Sequence, residues 1–178
     1  MSYVVLQLAL TLDGYIAKKD GNVDFLEMVN PLFENEFNIF IKSVETIIMG
    51  RGTYEKMLEF GEIPFPDKLI YVLTSKPLTS SNKNIIFTNE DITLLVKKTK
   101  NKIWLFGGSK VIQSFVDLDL IDEFQLYIVP IILGDGIPLF LNNKGLKNLE
   151  LIKHEQYNDD LLLIYRKRKD YVNQNKTA

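Results

Sequence analysis

Apolar positions along the chain fall into two kinds of pattern, which alternate. Five continuous apolar runs predict buried strands, because strands covered on both faces lose the alternation of apolar and polar residues. These runs span residues 3–10, 46–49, 69–74, 85–88 and 102–106. Between them, apolar residues at helical spacing predict helices over about 31–42, 53–58, 91–98 and 109–117. Strands that alternate with short helices indicate an α/β fold with a largely parallel sheet.

The last third of the chain departs from this pattern. Residues 123–133 form one long β-rich segment, and residues 149–153 and 161–167 predict two further strands. Asn158-Asp159-Asp160 lies between the last two and is typical of a hairpin turn. The predicted fold class is therefore α/β, with a central mixed and mostly parallel sheet, flanking helices and an antiparallel C-terminal hairpin.

Segments rich in turn-forming residues separate these elements. Residues 11–22 contain Asp13-Gly14 and Asp20-Gly21 and are predicted to form a loop, as are residues 60–67. We find no repeat or linker, so we expect one domain over residues 1–168, followed by a polar tail at 169–178 that frays. Pro31 is expected in the first turn of the first helix.

Composition removes several classes of function. The formal net charge is −2, so the chain lacks the basic footprint of a nucleic-acid-binding protein. It has no cysteine and a single histidine, His154, so we expect neither thiol chemistry nor a metal site. The longest apolar runs are too short to span a membrane, and no leader-like segment opens the sequence. A cytoplasmic location is the expectation that follows.

Two junctions between a strand and a helix carry glycines. Gly50 and Gly52 lie in the junction at residues 47–55, and Gly107 and Gly108 in the junction at residues 104–112. Glycine lets the backbone approach a ligand closely, and the helix start beyond it offers unpaired N–H groups to an anion. Either junction alone is as consistent with an ordinary turn. The two together favour a nucleotide with more than one phosphate.

Three motifs in a fixed order carry a resemblance to a known family. They lie at residues 8–17, at residues 48–55, and at residues 106–111 continuing through 120–124, Pro130 and 134–140. The sequence resembles the dihydrofolate reductase-like fold, and in particular the C-terminal domain family of the riboflavin-biosynthesis reductase RibD. The resemblance covers most of residues 3–168. It implies a reductase that uses NADPH.

The resemblance also implies positions for the cofactor. Ala9 and Ile16 match the residues that flank the nicotinamide. Three further groups match the remaining contacts. These are the pyrophosphate turn at Gly50, Arg51, Gly52 and Thr53; the adenosine-phosphate edge at Thr74, Ser75 and Lys76; and the second turn at Phe106, Gly107, Gly108, Ser109, Lys110 and Val111. Arg51 also matches a position near the 2′-phosphate, and Gly107 and Gly108 match a pair joined by a cis peptide. As alternatives, Arg51 is a solvated residue at a helix start, and residues 74–76 form an ordinary turn.

The substrate half of the site is less clear in the sequence. In folate reductases a carboxylate on the helix before the second strand supports proton transfer, and here that helix offers Glu34 or Glu36. Phe37 and Phe40 on the same helix are candidates for lining a flat heterocycle. The alternative is an acidic first turn that complements the helix dipole. The family's lysine after Asp-Gly is replaced by Tyr15, and its phosphate-gripping sequence is absent.

We therefore expect an NADPH-dependent reductase that transfers a hydride to a small planar heterocycle, such as a pteridine, a pyrimidine or a flavin-like ring. Partners other than this small molecule and a second copy of the chain in a homodimer are not expected. Two alternatives remain open. One is a nucleotide-binding module without catalysis, and the other is a structural homodimer whose interface is formed by residues 124–133.

Overall fold

A computed structural model describes residues 2–28, 33–61, 63–141 and 145–168 of the chain. In this part of the chain the strands are β1 (Tyr3–Thr11), β2 (Tyr15–Ala17), β3 (Thr46–Gly50), β4 (Leu69–Leu73), β5 (Ile85–Thr88), β6 (Lys102–Gly107), β7 (Glu123–Val129), β8 (Ile137–Pro138), β9 (Leu149–Tyr157) and β10 (Asp160–Lys167). The helices are α1 (Phe33–Ser43), α2 (Arg51–Glu59), α3 (Ile92–Lys98) and α4 (Ser109–Asp117), and a short 3-10 helix covers Asp24–Met28.

Eight strands form one sheet in the order β5-β4-β3-β6-β1-β7-β10-β9. The six strands from β5 to β7 are parallel, and β10 pairs antiparallel with both β7 and β9. The two short strands β2 and β8 pair with each other outside this sheet. The predicted fold class, a mostly parallel mixed sheet closed by an antiparallel C-terminal hairpin, is confirmed.

The sheet is covered on both faces, which explains its continuous apolar strands. On one face Leu6 and Leu105 pack in a cluster with Leu95 of α3 and Ile112 of α4; we call this the α3/α4 face. On the other, the α1/α2 face, Phe40 of α1 joins a cluster of buried strand residues. Along β1 the even-numbered residues lie on the α3/α4 face and the odd-numbered ones on the α1/α2 face, since side chains of a strand alternate.

Several predicted boundaries were wrong. Residues 11–22 are not all loop, because β2 lies within them; a three-residue strand paired with a two-residue strand leaves no periodic signal. Strand β7 ends at Val129 instead of residue 133, since Pro130 has no N–H to extend the ladder. Strand β9 runs to Tyr157 instead of residue 153, and its mostly exposed polar residues hide it. Helix α2 begins at Arg51, directly after β3.

Two other expectations concern residues at the limits of the structure. Pro31 and the polar tail at 169–178 lie outside the described residues. In the segment 124–133, which the sequence offered as an interface, β7 is paired on both edges and Phe124, Tyr127 and Val129 are buried in the chain's own core, whereas Ile132 is exposed. The interface stays a prediction. In the part of the chain that is described, no helix is long and apolar enough to cross a membrane.

Candidate functional site

The central sheet splits between β1 and β6. These strands pair from Tyr3 opposite Lys102 to Leu6 opposite Leu105 and no further. Beyond that point β1 continues to Thr11 alongside β7, while β6 continues to Gly107 alongside β3. The split therefore opens a crevice at the carboxyl ends of the two strands. The helix after β1 lies on one face of the sheet and the helix after β6 on the other, which is the arrangement where open α/β sheets bind ligands.

Trp104 lies at the bottom of this crevice and belongs to the core. Its Nε1–H donates to the backbone carbonyl of Gln7 at 2.9 Å, one residue beyond the last pair of β1 with β6. Aromatic rings surround it, and Phe40 packs edge-on with 5.4 Å between ring centroids. Phe40 is only 6% exposed, because its ring packs against the indole of Trp104. The expectation that Phe40 lines a heterocycle was therefore wrong. Phe37 is half-buried and packs on the same ring.

The two glycine junctions lie side by side, because β3 and β6 are neighbouring parallel strands with Met49 opposite Gly107. The backbone N–H of Gly108 donates to Thr53 Oγ1 at 2.9 Å, which ties one junction to the other. Gly50 and Gly108 are the N-cap residues of α2 and α4, and neither helix has a side-chain cap or an acidic first turn. Two helix starts with unpaired N–H groups thus open at the same edge of the sheet, where an anion is favoured.

The four glycines of these junctions are there for different reasons. Gly107 has a φ of 127°, which other residues rarely adopt, and the Gly107–Gly108 peptide is cis, as the resemblance implies. A Cβ on Gly50 would lie 3.0 Å from Val111 Cγ2, and one on Gly108 would lie 3.1 Å from Thr53 Oγ1. A Cβ on Gly52 would meet nothing within 4 Å. Neither the backbone conformation nor the packing requires glycine at position 52. Gly52 therefore reduces the stability of α2 by up to about 1 kcal/mol relative to alanine, with no structural need for it in the protein alone.

The carboxyl ends of β4 and β5, the two strands that follow β3 in the sheet, hold a depression. It has a volume of about 280 Å³, and Thr74, Ser75 and Lys76 contribute to its lining. Thr74 Oγ1 accepts a hydrogen bond from the Lys76 backbone N–H, so these residues form a compact turn. Lys76 makes no ion pair with the described residues. Since β4 adjoins β3 and β3 adjoins β6, the depression continues the line of the two glycine junctions.

Two cations flank this line. Arg51 is the first residue of α2, and its Nη1 lies 3.1 Å from Glu55 Oε1 in an exposed ion pair. An exposed pair of this kind contributes at most about 1 kcal/mol, so the guanidinium is available to a stronger anion. Lys110 is exposed in the first turn of α4. Both cations stand at helix starts that already favour negative charge.

Ala9 and Ile16, which the sequence assigns to the nicotinamide, lie on different faces. Ala9 is half-buried on the α1/α2 face and packs against the cluster that contains Tyr127. Ile16 packs against the α3/α4-face cluster from β2. Phe106 is half-buried, with its ring centroid 4.6 Å from that of Trp104. The structure therefore brings Ala9, Phe106 and the two glycine junctions to the crevice, while Ile16 reaches its rim from the loop after β1.

Asp13 anchors that loop. Its carboxylate accepts hydrogen bonds from the backbone N–H groups of Leu133 at 3.1 Å and Gly134 at 2.7 Å. The Thr11 hydroxyl donates to it at 2.6 Å, and this bond, followed by those from the backbone, lowers the pKa of Asp13. The Ser109 hydroxyl donates to the Pro138 carbonyl, so the start of α4 is tied to β8 as well. The loops around the crevice thus form one connected rim.

Of the two glutamates proposed as proton sources, Glu36 lies near the edge strand β9. Glu34 is exposed and Glu36 is half-buried on α1. The pKa of Tyr157 on β9 is raised, chiefly by burial, then by its hydrogen bond to Glu155 and by the charge of Glu36. Glu36 is therefore within electrostatic reach of β9, three strands away from β1. The choice between Glu34 and Glu36 stays a prediction.

The α1/α2 face also brings together polar residues that the sequence analysis did not identify. The Tyr127 hydroxyl donates to Asp160 Oδ2 at 2.8 Å, and both residues are buried. Gln7, two residues before Ala9 on β1, is buried as well. These residues lie on three different strands, so only the register of the sheet places them near Ala9. A glutamine within an apolar run was the one signal for these residues in the sequence.

Across the described ranges, no group of acidic or histidine side chains is arranged to hold a metal ion.

Comparison with known proteins agrees with this architecture. The family model of the RibD C-terminal domain matches residues 2–163. The uncharacterized protein YwjB of Bacillus subtilis is 34% identical over 166 residues, which cover 90% of this chain and 95% of that protein. A crystal structure of a putative riboflavin biosynthesis protein from Shewanella sp. PV-4 is 27% identical and superposes with a TM-score of 0.84, over 94% of this chain and 99% of that one.

A more distant structure shares the fold. The Thermotoga maritima diaminohydroxyphosphoribosylaminopyrimidine deaminase/5-amino-6-(5-phosphoribosylamino)uracil reductase is 18% identical with a TM-score of 0.71, and the match covers 94% of this chain but 57% of that one. The family match spans nearly the whole chain. The chain belongs to the RibD C-terminal domain family.

Proposed function

We propose that this protein is an NADPH-dependent reductase that acts on a small planar heterocycle. The observation that carries the proposal is the pair of helix starts without side-chain caps at the split in the sheet, with Gly52 open to solvent in the first turn of α2. A glycine that no protein contact requires leaves room for a ligand to approach the backbone. The residues present therefore fit a dinucleotide with a pyrophosphate.

Each part of the cofactor has residues suited to it. The backbone N–H groups at the starts of α2 and α4 would hold the pyrophosphate. Arg51, Ser75 and Lys76 would hold the 2′-phosphate, because a guanidinium and an ammonium beside a hydroxyl suit a doubly charged anion. Ala9 and the turn at Gly107 would bound the nicotinamide in the crevice. When bound, the cofactor supplies a hydride, and the apolar wall around Trp104 excludes water from that place.

The family relationship supports reduction of a nitrogen heterocycle. A distant structural relative bears the name of a uracil reductase, and the present chain shares its fold. The sequence lacks that family's phosphate-gripping stretch, which favours a substrate without a ribose phosphate. Glu34, Glu36 or a water would deliver the proton that accompanies the hydride. We also propose that the protein acts as a homodimer, as members of this fold commonly do.

A turnover experiment tests the proposal. Purified protein is mixed with NADPH and a panel of pteridines, pyrimidines and flavin-like heterocycles, and the loss of reduced nicotinamide absorbance is followed. We expect turnover with at least one oxo-heterocycle, and none with the Gly52→Val variant, whose side chain fills the space over the helix start. NADPH binding without turnover across the whole panel would contradict the reductase and favour the non-catalytic nucleotide-binding module.

A further inference from the structure

Gln7 is a buried polar residue at the point where β1 and β6 separate. It is 4% exposed, and its side-chain amide makes no hydrogen bond with the described residues. Every fully enclosed side-chain nitrogen or oxygen among the described residues has a hydrogen-bond partner. It follows that the small exposed part of Gln7 includes its amide. The amide thus opens towards the crevice while the rest of the side chain is enclosed.

The neighbours of Gln7 place this amide beside the proposed reaction centre. Val5 and Ala9, two residues before and after it, pack on the α1/α2 face, so the Gln7 side chain lies on that face as well. Trp104 holds the Gln7 backbone carbonyl from the β6 side. On the β7 side its register partner is Gln125, whose own amide donates to Glu123 at 2.7 Å. Gln7 is therefore an unpaired amide within an apolar wall, next to the position assigned to the nicotinamide.

An unpaired amide in such a place lowers the stability of the folded protein. With only 4% of the residue exposed, the amide loses most of the hydrogen bonds that water gave it, and nothing among the described residues replaces them. Methionine or leucine would fill the same space without that loss. A group that destabilises the free protein in this way is typical of a binding site, where the ligand completes the hydrogen bonds.

The chemistry of the amide indicates the ligand. A glutamine amide presents one acceptor and a donor side by side in one plane. Its complement is a ring amide, in which a carbonyl and an N–H are adjacent, as in pyrimidinones and pteridinones; a phosphate would require donors alone. We infer that Gln7 binds the lactam edge of the heterocyclic substrate and selects for it. This inference rests on the proposed reductase function, since it places the ring beside Ala9.

Binding of a matched pair of probes tests the inference. Lumazine, a pteridine with lactam edges, is compared with its dimethyl derivative, in which both lactam N–H groups carry methyl groups. Isothermal titration calorimetry gives both affinities, with and without NADP⁺. The Gln7→Met variant keeps the shape of the side chain and removes the amide, and Gln156→Met, at an exposed position of β9, is the control.

The wild-type protein and the Gln156→Met control are expected to bind lumazine about tenfold more tightly than the dimethyl compound, as the loss of a well-placed hydrogen bond implies. Gln7→Met is expected to lose this preference and to unfold at a higher temperature than the wild type, because it no longer encloses an unpaired amide. Equal binding of both probes by the wild type would overturn the inference. A Gln7→Met variant that unfolds earlier and keeps the preference would also overturn it, since Gln7 would then be structural.

A separate titration distinguishes this failure from failure of the proposed function. NADPH is titrated into the wild type and the Gln7→Met variant under the same conditions. Gln7 is not among the residues proposed to hold the pyrophosphate or the 2′-phosphate, so the variant is expected to keep its NADPH affinity. If the wild type does not bind NADPH, the proposed reductase is contradicted, and the lumazine comparison without cofactor still decides whether Gln7 binds a lactam.

Discussion

Single hydroxyl and carboxylate groups hold the parts of this molecule together. Thr53 is the clearest case, because its Oγ1 accepts the backbone N–H of Gly108 and so joins the start of α2 to the turn before α4. The resemblance assigns Thr53 to the cofactor. The structure shows that its hydroxyl oxygen supports the neighbouring turn, so Thr53 places the second glycine junction relative to the first.

The ionised carboxylate of Glu123 supports the fold through several hydrogen bonds. It is 6% exposed at the start of β7 and accepts hydrogen bonds from Gln125, Arg166 and Tyr3. Burial alone would raise the pKa of this carboxyl, but the three hydrogen bonds and the Arg166 charge lower it below its ordinary value of 4.5. These contacts give Glu123 a structural role at the start of β7.

A lowered pKa makes stability depend on acid in a defined direction. The stabilisation from Glu123 is fully present above the unfolded-state pKa near 4.5 and is lost as the pH falls through the lower folded-state pKa. We expect Glu123→Gln to reduce the free energy of unfolding at neutral pH by about 1–3 kcal/mol and to flatten its decline below about pH 4.5. Urea denaturation at several pH values measures both effects.

Glu59→Gln is the matched control, because Glu59 pairs with Lys56 in a largely exposed contact. It is expected to change stability by less than about 1 kcal/mol. If Glu123→Gln loses stability in acid as steeply as the wild type does, the Glu123 cluster is not the source of the acid sensitivity.

At the scale of elements, the rim of the crevice is held by short contacts between loops. The segment from Thr11 to Ala17 is joined to residues 133–138 by the Asp13 carboxylate and by the pairing of β2 with β8. Gly136 fits tightly in this pairing, since a Cβ there would lie 2.4 Å from the Ala17 carbonyl oxygen. The loop that carries Ile16 is therefore positioned by an anchor on the opposite side of the crevice.

Removing that anchor is expected to loosen the loop without unfolding the sheet. In Asp13→Ala the backbone amides of Leu133 and Gly134 lose their acceptor, so hydrogen exchange at residues 12–17 and 131–138 is expected to become faster while exchange in β3 and β6 stays unchanged. Asp135→Ala is the control, because it removes only an exposed contact with Lys19. Faster exchange throughout the chain in Asp13→Ala would show that Asp13 supports the whole fold instead of the rim.

The sequence predicted most elements of the main sheet because each strand is covered on both faces and reads as a continuous apolar run. The elements it missed lack that signal. Strand β2 has three residues, and the polar residues of β9 face solvent because that strand forms the edge of the sheet. The glycine junctions were predictable because glycines that directly follow an apolar run mark a turn from strand to helix. The contacts that require Gly50 and Gly108 come from Val111 and Thr53 of the other junction, and no local pattern records them.

At the scale of the whole molecule, the site depends on where two neighbouring strands stop pairing. The separation of β1 from β6 after Leu6 and Leu105 follows from the register of the sheet, which no local pattern records. For the same reason the sequence did not identify Gln7 or the Tyr127–Asp160 pair, whose positions near Ala9 depend on three strands. The sequence also suggested Phe40 as a contact for the substrate. Helical spacing shows that Phe40 faces inwards, but it does not show that Trp104 is the residue against which its ring packs.

The central claim is that the line from the crevice to the depression binds NADPH. Titration of NADPH and NADH into the protein, followed by quenching of Trp104 fluorescence, tests it most directly, since Trp104 is the single tryptophan and lies at the bottom of the crevice. We predict saturable NADPH binding, NADH binding weaker by about tenfold or more because the 2′-phosphate meets Arg51 and Lys76, and loss of both in Gly52→Val. Absence of NADPH binding by the wild type, or unchanged binding by a folded Gly52→Val variant, would contradict the account.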